Sequence, residues 1–327
     1  MNKIRIFAIF AMLAMIFSFA NAGPATAQTG TTFYVKPAAA GSGDGLSWAN
    51  ATTLQDALGS ATSGAEIWVA AGLYKPSGSD PAVSFNLKPG VAVYGGFPAT
   101  GTPTFNDRDW VANPTVLSGD IDGNDVTDAN GVVTNWANIN GTSGSFRNSI
   151  HVVVADGTTG APIGASTILD GLIITAGDAP GGTSDFEIYI GGGFYCKGAG
   201  SGNECSPNLN DVIFSGNRAT DSGGAMYNDG SDGGNSSPTL TDVTFSGNKA
   251  SEGGAMHNFG GDGGNSSPTL TDVTFENNSG GLGGAMHNAG GSAFPATTAG
   301  TSSPTLTNVL FRNNTVPGNG NGGAMYN

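Results

Sequence analysis

The 327-residue chain carries a formal net charge of −14 and only 11 Lys plus Arg, so it lacks the clustered basic side chains that hold a polyanion. Nucleic acid is therefore not expected as a partner and anionic membrane surfaces are disfavoured, whereas calcium and neutral glycans remain compatible. Glycine is present in 55 copies and charged residues make up 11% of the chain, a composition that suits short strands and tight turns, with regularly placed Val, Ile, Leu and Phe to supply a core.

The first element is a targeting segment. Lys3 and Arg5 precede an apolar run from Ile6 to Ala20, and small-residue cleavage patterns follow at Ala20-Asn-Ala22 and Ala25-Thr-Ala27. Charge, apolar core and small residues in that order predict a secretory signal peptide over residues 1–27, cleaved after Ala27 or, alternatively, after Ala22. The run is short for a bilayer span and soon meets Gly23 and Pro24. With no second long apolar run, the mature chain is expected to carry no transmembrane span and to be secreted or displayed at the cell surface.

Residues 28–165 are expected to form an N-terminal cap and irregular coils. Thr52 to Ala61, with Leu54, Ala57 and Leu58 at helical spacing, predicts one short helix. Around it lie short apolar runs separated by turn-rich stretches: Ile67-Trp-Val-Ala70, Val91-Ala-Val-Tyr94, Thr115-Val-Leu117 and Ile150-His-Val-Val-Val154. Between the last two, Asp120, Asp122, Asn124 and Asp128 place oxygen donors at the alternating positions that a hard cation prefers, so this loop is the candidate calcium site. It departs from an EF-hand, with Asp125 at the turn-glycine position and Gly131 at position twelve, and a plain acidic turn is the alternative.

Cys196 and Cys205 enclose the glycine-rich loop Lys197 to Glu204, and in an exported protein they are expected to pair as a disulfide. Neither a C-x-x-C spacing nor a nearby His favours a metal or redox pair.

From about residue 166 to 327 the chain repeats itself. Ser206-Pro-Asn-Leu-Asn-Asp-Val-Ile-Phe-Ser-Gly-Asn217 recurs as Ser237 to Asn248, Ser267 to Asn278 and Ser303 to Asn314. Each copy is followed by Gly-Gly-Ala-Met, beginning at Gly223, Gly253, Gly283 and Gly322, so the spacings are 30, 30 and 39 residues. Val243-Thr-Phe245 alternates with the period of a strand, and the break between Leu240 and Val243 predicts a bend between two short strands. Several short strands per 30 residues describe one coil of a solenoid, with Leu, Phe and Asn each stacked in ladders from coil to coil. The fold class that follows is all-β: a right-handed parallel β-helix with a short N-terminal capping helix. The L-x-x-L-x-L spacing of leucine-rich repeats is missing.

Phe-x-x-Asn followed by Gly-Gly-Ala-aliphatic resembles the repeat of the chlamydial polymorphic outer membrane proteins. Here it stands as Phe214 to Asn217, Phe245 to Asn248, Phe275 to Asn278 and Phe311 to Asn314, each with its tetrad. Phe33-Tyr-Val-Lys36, Gly43-Asp-Gly-Leu-Ser-Trp48 and Ile67-Trp-Val-Ala70 resemble the N-terminal part of bacterial pectin-lyase-like β-helix proteins. The resemblance implies an outer-membrane-associated or secreted location and an adhesin-like role toward extracellular glycans or proteins. The sequence departs from that family in that no outer-membrane barrel follows the repeats, which puts self-transport in doubt.

Pectin-lyase-like folds also host polysaccharide lyases and hydrolases, so a carbohydrate-active enzyme is the alternative, and a purely structural envelope protein a third. Asp211, Asp242 and Asp272 repeat, with Asn308 at the fourth position, which reads as a turn or surface ladder, since a catalytic pair occurs once. Arg218 and Arg312 form no lyase-type base cluster, and no catalytic residue is assigned. His257 and His287 share one repeat position with Tyr227 and Tyr326, which predicts a solvent-facing aromatic row suited to sugar rings in preference to a zinc site. The fourth tetrad is followed at once by Asn327, so the repeats are expected either to be truncated from a longer protein or to have their uncovered coil edge met by a partner, as in end-to-end association.

Overall fold

A computed structural model describes residues 30–140, 147–182, 184–291 and 298–327. The signal-peptide segment 1–27 lies outside the described residues. The chain winds into a parallel β-helix whose strands stack into three long sheets of eight, seven and seven strands, every pairing parallel. The first sheet runs from Thr32–Val35 through Glu66–Ala70, Ala92–Phe97, Ile168–Asp170, Asn208–Asn210, Thr239–Thr241 and Thr269–Thr271 to Thr305–Thr307. The ladder is thus continuous across the irregular N-terminal half.

One coil shows why these residues fold this way. Leu240 and Phe245 point inward from the first and second sheets and are fully buried, while Thr239, Thr241 and Thr244 face outward. Between the two strands Asp242 takes a left-handed backbone conformation with φ 54°, as do Asp211, Asp272 and Asn308 at the same place. Asp and Asn tolerate that conformation better than other side chains, which accounts for their recurrence without any chemistry. The next turn follows the same rule, with φ positive at Gly216, Gly247, Asn277 and Asn313.

The Gly-Gly-Ala-Met tetrad leads into the third sheet. Its first glycine has φ between 56° and 69° in all four copies, open to glycine at little cost. Its second glycine is packed: a Cβ on Gly254 would fall inside the envelope of the carbonyl oxygens of Gly284 and Ser279. Ala255 and Met256 then enter the core.

Inside, Phe214, Phe245, Phe275 and Phe311 stack face to face with ring centroids 4.8, 4.7 and 5.0 Å apart, matching the strand spacing of a sheet. Asn217, Asn248, Asn278 and Asn314 form a second ladder at the turn after the phenylalanine. A third ladder joins Asn228, Asn258, Asn288 and Asn327 on the inner side of the third sheet. One coil earlier, Cys196 occupies that same register position and is disulfide-bonded to Cys205. Ser236 and Ser266 stand in the place of Cys205 in later coils and donate to the carbonyls of Cys196 and Asn228. The disulfide therefore joins two positions that Asn and Ser occupy in the later coils.

At the N-terminal end the helix Leu54–Ser60 is capped by Thr53, whose hydroxyl accepts from the Asp56 amide, and it buries Leu54, Ala57 and Leu58 in the main core. At the other end Leu306 is 37% exposed and Leu310 49%. Among the described residues no helix is long and apolar enough to cross a membrane.

Candidate functional site

Three regions carry side chains that the fold alone does not require. The first is the outer face of the first sheet. Tyr34, Trp68 and Tyr94 are aligned in successive coils, and the same row continues through Asp170, Asn210, Thr241 and Thr271 to Thr307. The aromatic end is built up further: Trp48 meets Tyr34 edge-on at 4.9 Å, and Trp68 lies flat on Phe97 at 4.9 Å. Tyr34, Trp48 and Trp68 line a cleft with Leu46 and Thr102 to Thr104, and the Trp48 indole N–H donates to the Pro103 carbonyl at 2.8 Å. Next to it the Arg108 guanidinium sits over Tyr94 and Phe105 and pairs with Asp170. Flat rings beside a polar groove suit a sugar face and its hydroxyls. The period-two alternation in Phe33-Tyr-Val and Ile67-Trp-Val places Tyr34 and Trp68 outward, so the signal was present in the sequence once the coils were aligned.

The second region is the acidic loop. It is part of the long excursion between Thr115–Ser118 of the second sheet and Val153–Asp156 of the third, and it lies along the flank of later coils. Trp136 donates its backbone N–H to the Gly247 carbonyl at 2.8 Å, the Lys249 ammonium lies 3.8 Å from the Trp136 ring centre, and Ser215 donates to the Val133 carbonyl. Asp120 is buried and accepts from the Asn124 amide at 3.0 Å. Asp122 accepts from the Asn124 side chain at 2.7 Å and stands 3.6 Å from Arg147, while Asp128 accepts from the amides of Asn130 and Val132. Asp125 turns away toward Asn140 and Asn148, and burial raises its carboxyl above the usual range. Asp120, Asp122 and Asp128 thus each organise their own turn, and no three acidic side chains of this loop converge on one point. The Asn124 side-chain oxygen is buried without a hydrogen-bond partner.

The third region corrects an expectation. Tyr227, His257 and His287 do not face solvent: they are 3%, 3% and 8% exposed. They do point away from the helix core. However, the segment entering each tetrad runs out and back over them, paired from coil to coil at Ser222, Glu252, Leu282 and Asn321. A Cβ on Gly253 would lie 3.1 Å from the His287 amide, which shows how closely this cover sits. Within the row Tyr227 stacks on His257 at 5.1 Å, and the two histidine rings meet edge-on at 4.6 Å. Glu252 from the covering segment brings its carboxylate to the two rings. Burial pushes the His257 ring down to about 3, so it is neutral, and His287 holds the Glu252 carboxyl below its ordinary value.

Arg218 is engaged in the same cover, in a two-pronged pair with buried Asp178 at 2.8 and 2.7 Å. Arg312 pairs with Glu276 in the next-to-last coil.

Residues 211–229 and 242–255 match the family model of the Chlamydia polymorphic membrane protein repeat. The matched spans contain Phe214 to Asn217 with its tetrad and Phe245 to Asn248 with Gly253 to Ala255, residues of the stacked phenylalanines, the asparagine ladder and the turn into the third sheet. No curated protein and no solved structure is significantly similar to the chain.

Proposed function

We propose that the chain is an exported, surface-displayed β-helical scaffold that binds neutral extracellular glycans along the outer face of its first sheet. The observation that carries this reading is the aromatic cleft of Tyr34, Trp48 and Trp68, in register with a row of Asn and Thr side chains farther down the sheet beyond the Arg108–Asp170 pair. Ring faces stack on the apolar faces of sugars, and a flat polar row offers hydroxyls and amides to a long chain. The strong negative charge disfavours uronic-acid polymers and favours neutral ones. Surface association is supported by the repeat match, whose family is described as membrane proteins.

The scaffold role, as against catalysis, is supported by how the chemistry-bearing groups are used. The repeated aspartates hold left-handed turns, and Arg218 is committed to Asp178. Retention on immobilised neutral glycans, compared between the parent and the variants Trp68→Ala and Leu46→Glu, tests the assignment. Leu46 is exposed at the cleft edge, so its replacement leaves the core intact. Loss of retention in both variants, with unchanged melting of Leu46→Glu, is the expected result. Equal retention in all three would remove the cleft from the account.

A further inference from the structure

We infer that Glu252, His257 and His287 form a binding site for a divalent transition metal of the zinc class. This goes beyond the glycan reading and does not depend on it.

Three observations converge. The ligand atoms of these residues all lie within 4.8 Å of one another, and among the described residues this is the one such group of three His, Cys, Asp or Glu side chains. The Glu252 Oε2 atom is 3.1 Å from Nδ1 of His287 and 3.8 Å from Nδ1 of His257. A tetrahedral ion with bonds of about 2.0–2.1 Å holds its ligand atoms about 3.3 Å apart, so the two distances bracket the requirement. Finally, both Nδ1 atoms are buried and neither makes a hydrogen bond; the His287–Glu252 approach is close enough but off the bonding direction. Two buried ring nitrogens without a hydrogen bond, both within 3.8 Å of one carboxylate oxygen, are an unusual thing for a fold to keep.

The donor set selects the ion. Two imidazoles and one carboxylate suit zinc, cobalt or nickel, whereas calcium and magnesium require oxygen ligands. The positions are held in advance: His257 and His287 are paired neighbours in the third sheet, and Tyr227 and Tyr326 pack against the outer sides of the two rings at 5.1 and 5.2 Å. Glu252 is 35% exposed, which gives an ion a route in from solvent. Three protein ligands leave a fourth position for water. The site also joins two coils to the covering segment, so the bound ion would fasten that segment to the stack.

The repeat itself supplies the control. Tyrosine occupies the histidine position in the coils before and after, at Tyr227 and Tyr326, so His287→Tyr is a substitution the architecture already accommodates. The test is calorimetric titration of the chelator-stripped protein with Zn2+, together with the visible absorption of the Co2+ form. The expected result is one equivalent of metal bound, a tetrahedral Co2+ spectrum, and a rise in melting temperature on adding Zn2+. His287→Tyr should lose the equivalent, the spectrum and the thermal shift together. Glu252→Gln, which keeps the shape of a partly exposed side chain, should weaken binding at least about 10-fold even if His287→Tyr folds poorly. Absence of binding by the parent, or binding unchanged in Glu252→Gln and His287→Tyr, would overturn the site and leave glycan retention untouched.

Discussion

The side-chain oxygen of Asn278 accepts two hydrogen bonds from Asn248 one coil before it, from the backbone N–H at 3.0 Å and from the side-chain amide at 2.9 Å. Asn248 in turn serves Asn217 in the same way and donates to the Phe214 carbonyl at 3.0 Å. A fully buried amide with every group in use couples each coil to the next, and its removal strands partners on both sides.

Asn248→Ala should therefore destabilise the protein by about 3 kcal/mol, because a buried donor or acceptor left unpaired costs about 1–3 kcal/mol. Asn314→Ala, in the more open last copy, should cost clearly less. Urea melts of the two variants give the comparison, and equal losses would contradict a graded ladder.

The two kinds of glycine predict opposite signs. Gly254→Ala would press a methyl against the carbonyls of Ser279 and Gly284, and should cost at least about 3 kcal/mol in line with overpacking and backbone strain. Gly59→Ala, in the helix Leu54–Ser60 with open space around it, should stabilise by about 0.5–1 kcal/mol. Thermal melts of both variants decide the matter.

Acid should weaken the fold through His151. The ring is buried and bonded to the Gly191 carbonyl at 2.9 Å, and burial lowers its folded value below the ordinary 6.5, against the pull of Glu187 and Asp185. The unfolded chain then binds the proton more readily, so stability is complete above pH 6.5 and declines as pH falls below it, by at most about 1.4 kcal/mol per unit from His151 and as much again from His257, which burial lowers in the same way. Asp221 and Asp229, raised by burial, act in the opposite sense only once the carboxylate range is reached. Stability measured from pH 7.5 downward should show the decline in the parent and a flatter profile in His151→Phe.

Reduction of the Cys196–Cys205 bond, or Cys196→Ser with Cys205→Ser, should lower stability by about 2–3 kcal/mol, the chain-entropy value for so short a loop. The double variant Cys196→Asn with Cys205→Ser should recover part of the loss, since the new asparagine would extend the ladder of Asn228 and Asn258 by one coil and the new serine would match Ser236 and Ser266.

What could be read in advance followed from periodicity. Val243-Thr-Phe245 gave the strand, the fourfold Phe-x-x-Asn gave the stacking, and Leu54, Ala57 and Leu58 gave the helix. What could not be read depends on segments distant in the chain. Nothing local to His257 says that Glu252 and its neighbours double back to cover it, so a strand alternation that points outward predicts exposure where the fold gives burial. The docking of the acidic loop is similar: nothing local to it says that Trp136 and Val133 tie the excursion to the coils around Gly247 and Ser215. The second asparagine ladder, Asn228 to Asn327, has no local signature, because a polar side chain two residues after Met226, Met256, Met286 and Met325 gives no sign that it faces inward.

The central claim, a glycan-binding scaffold without cleavage activity, is tested most directly by incubating the purified protein with a panel of neutral and acidic polysaccharides. Retention, new reducing ends and unsaturated products are scored together against a mock-purified control. The account predicts retention on at least one neutral polymer, lost in Leu46→Glu, with no product above the control. Cleavage products that depend on the protein would contradict it.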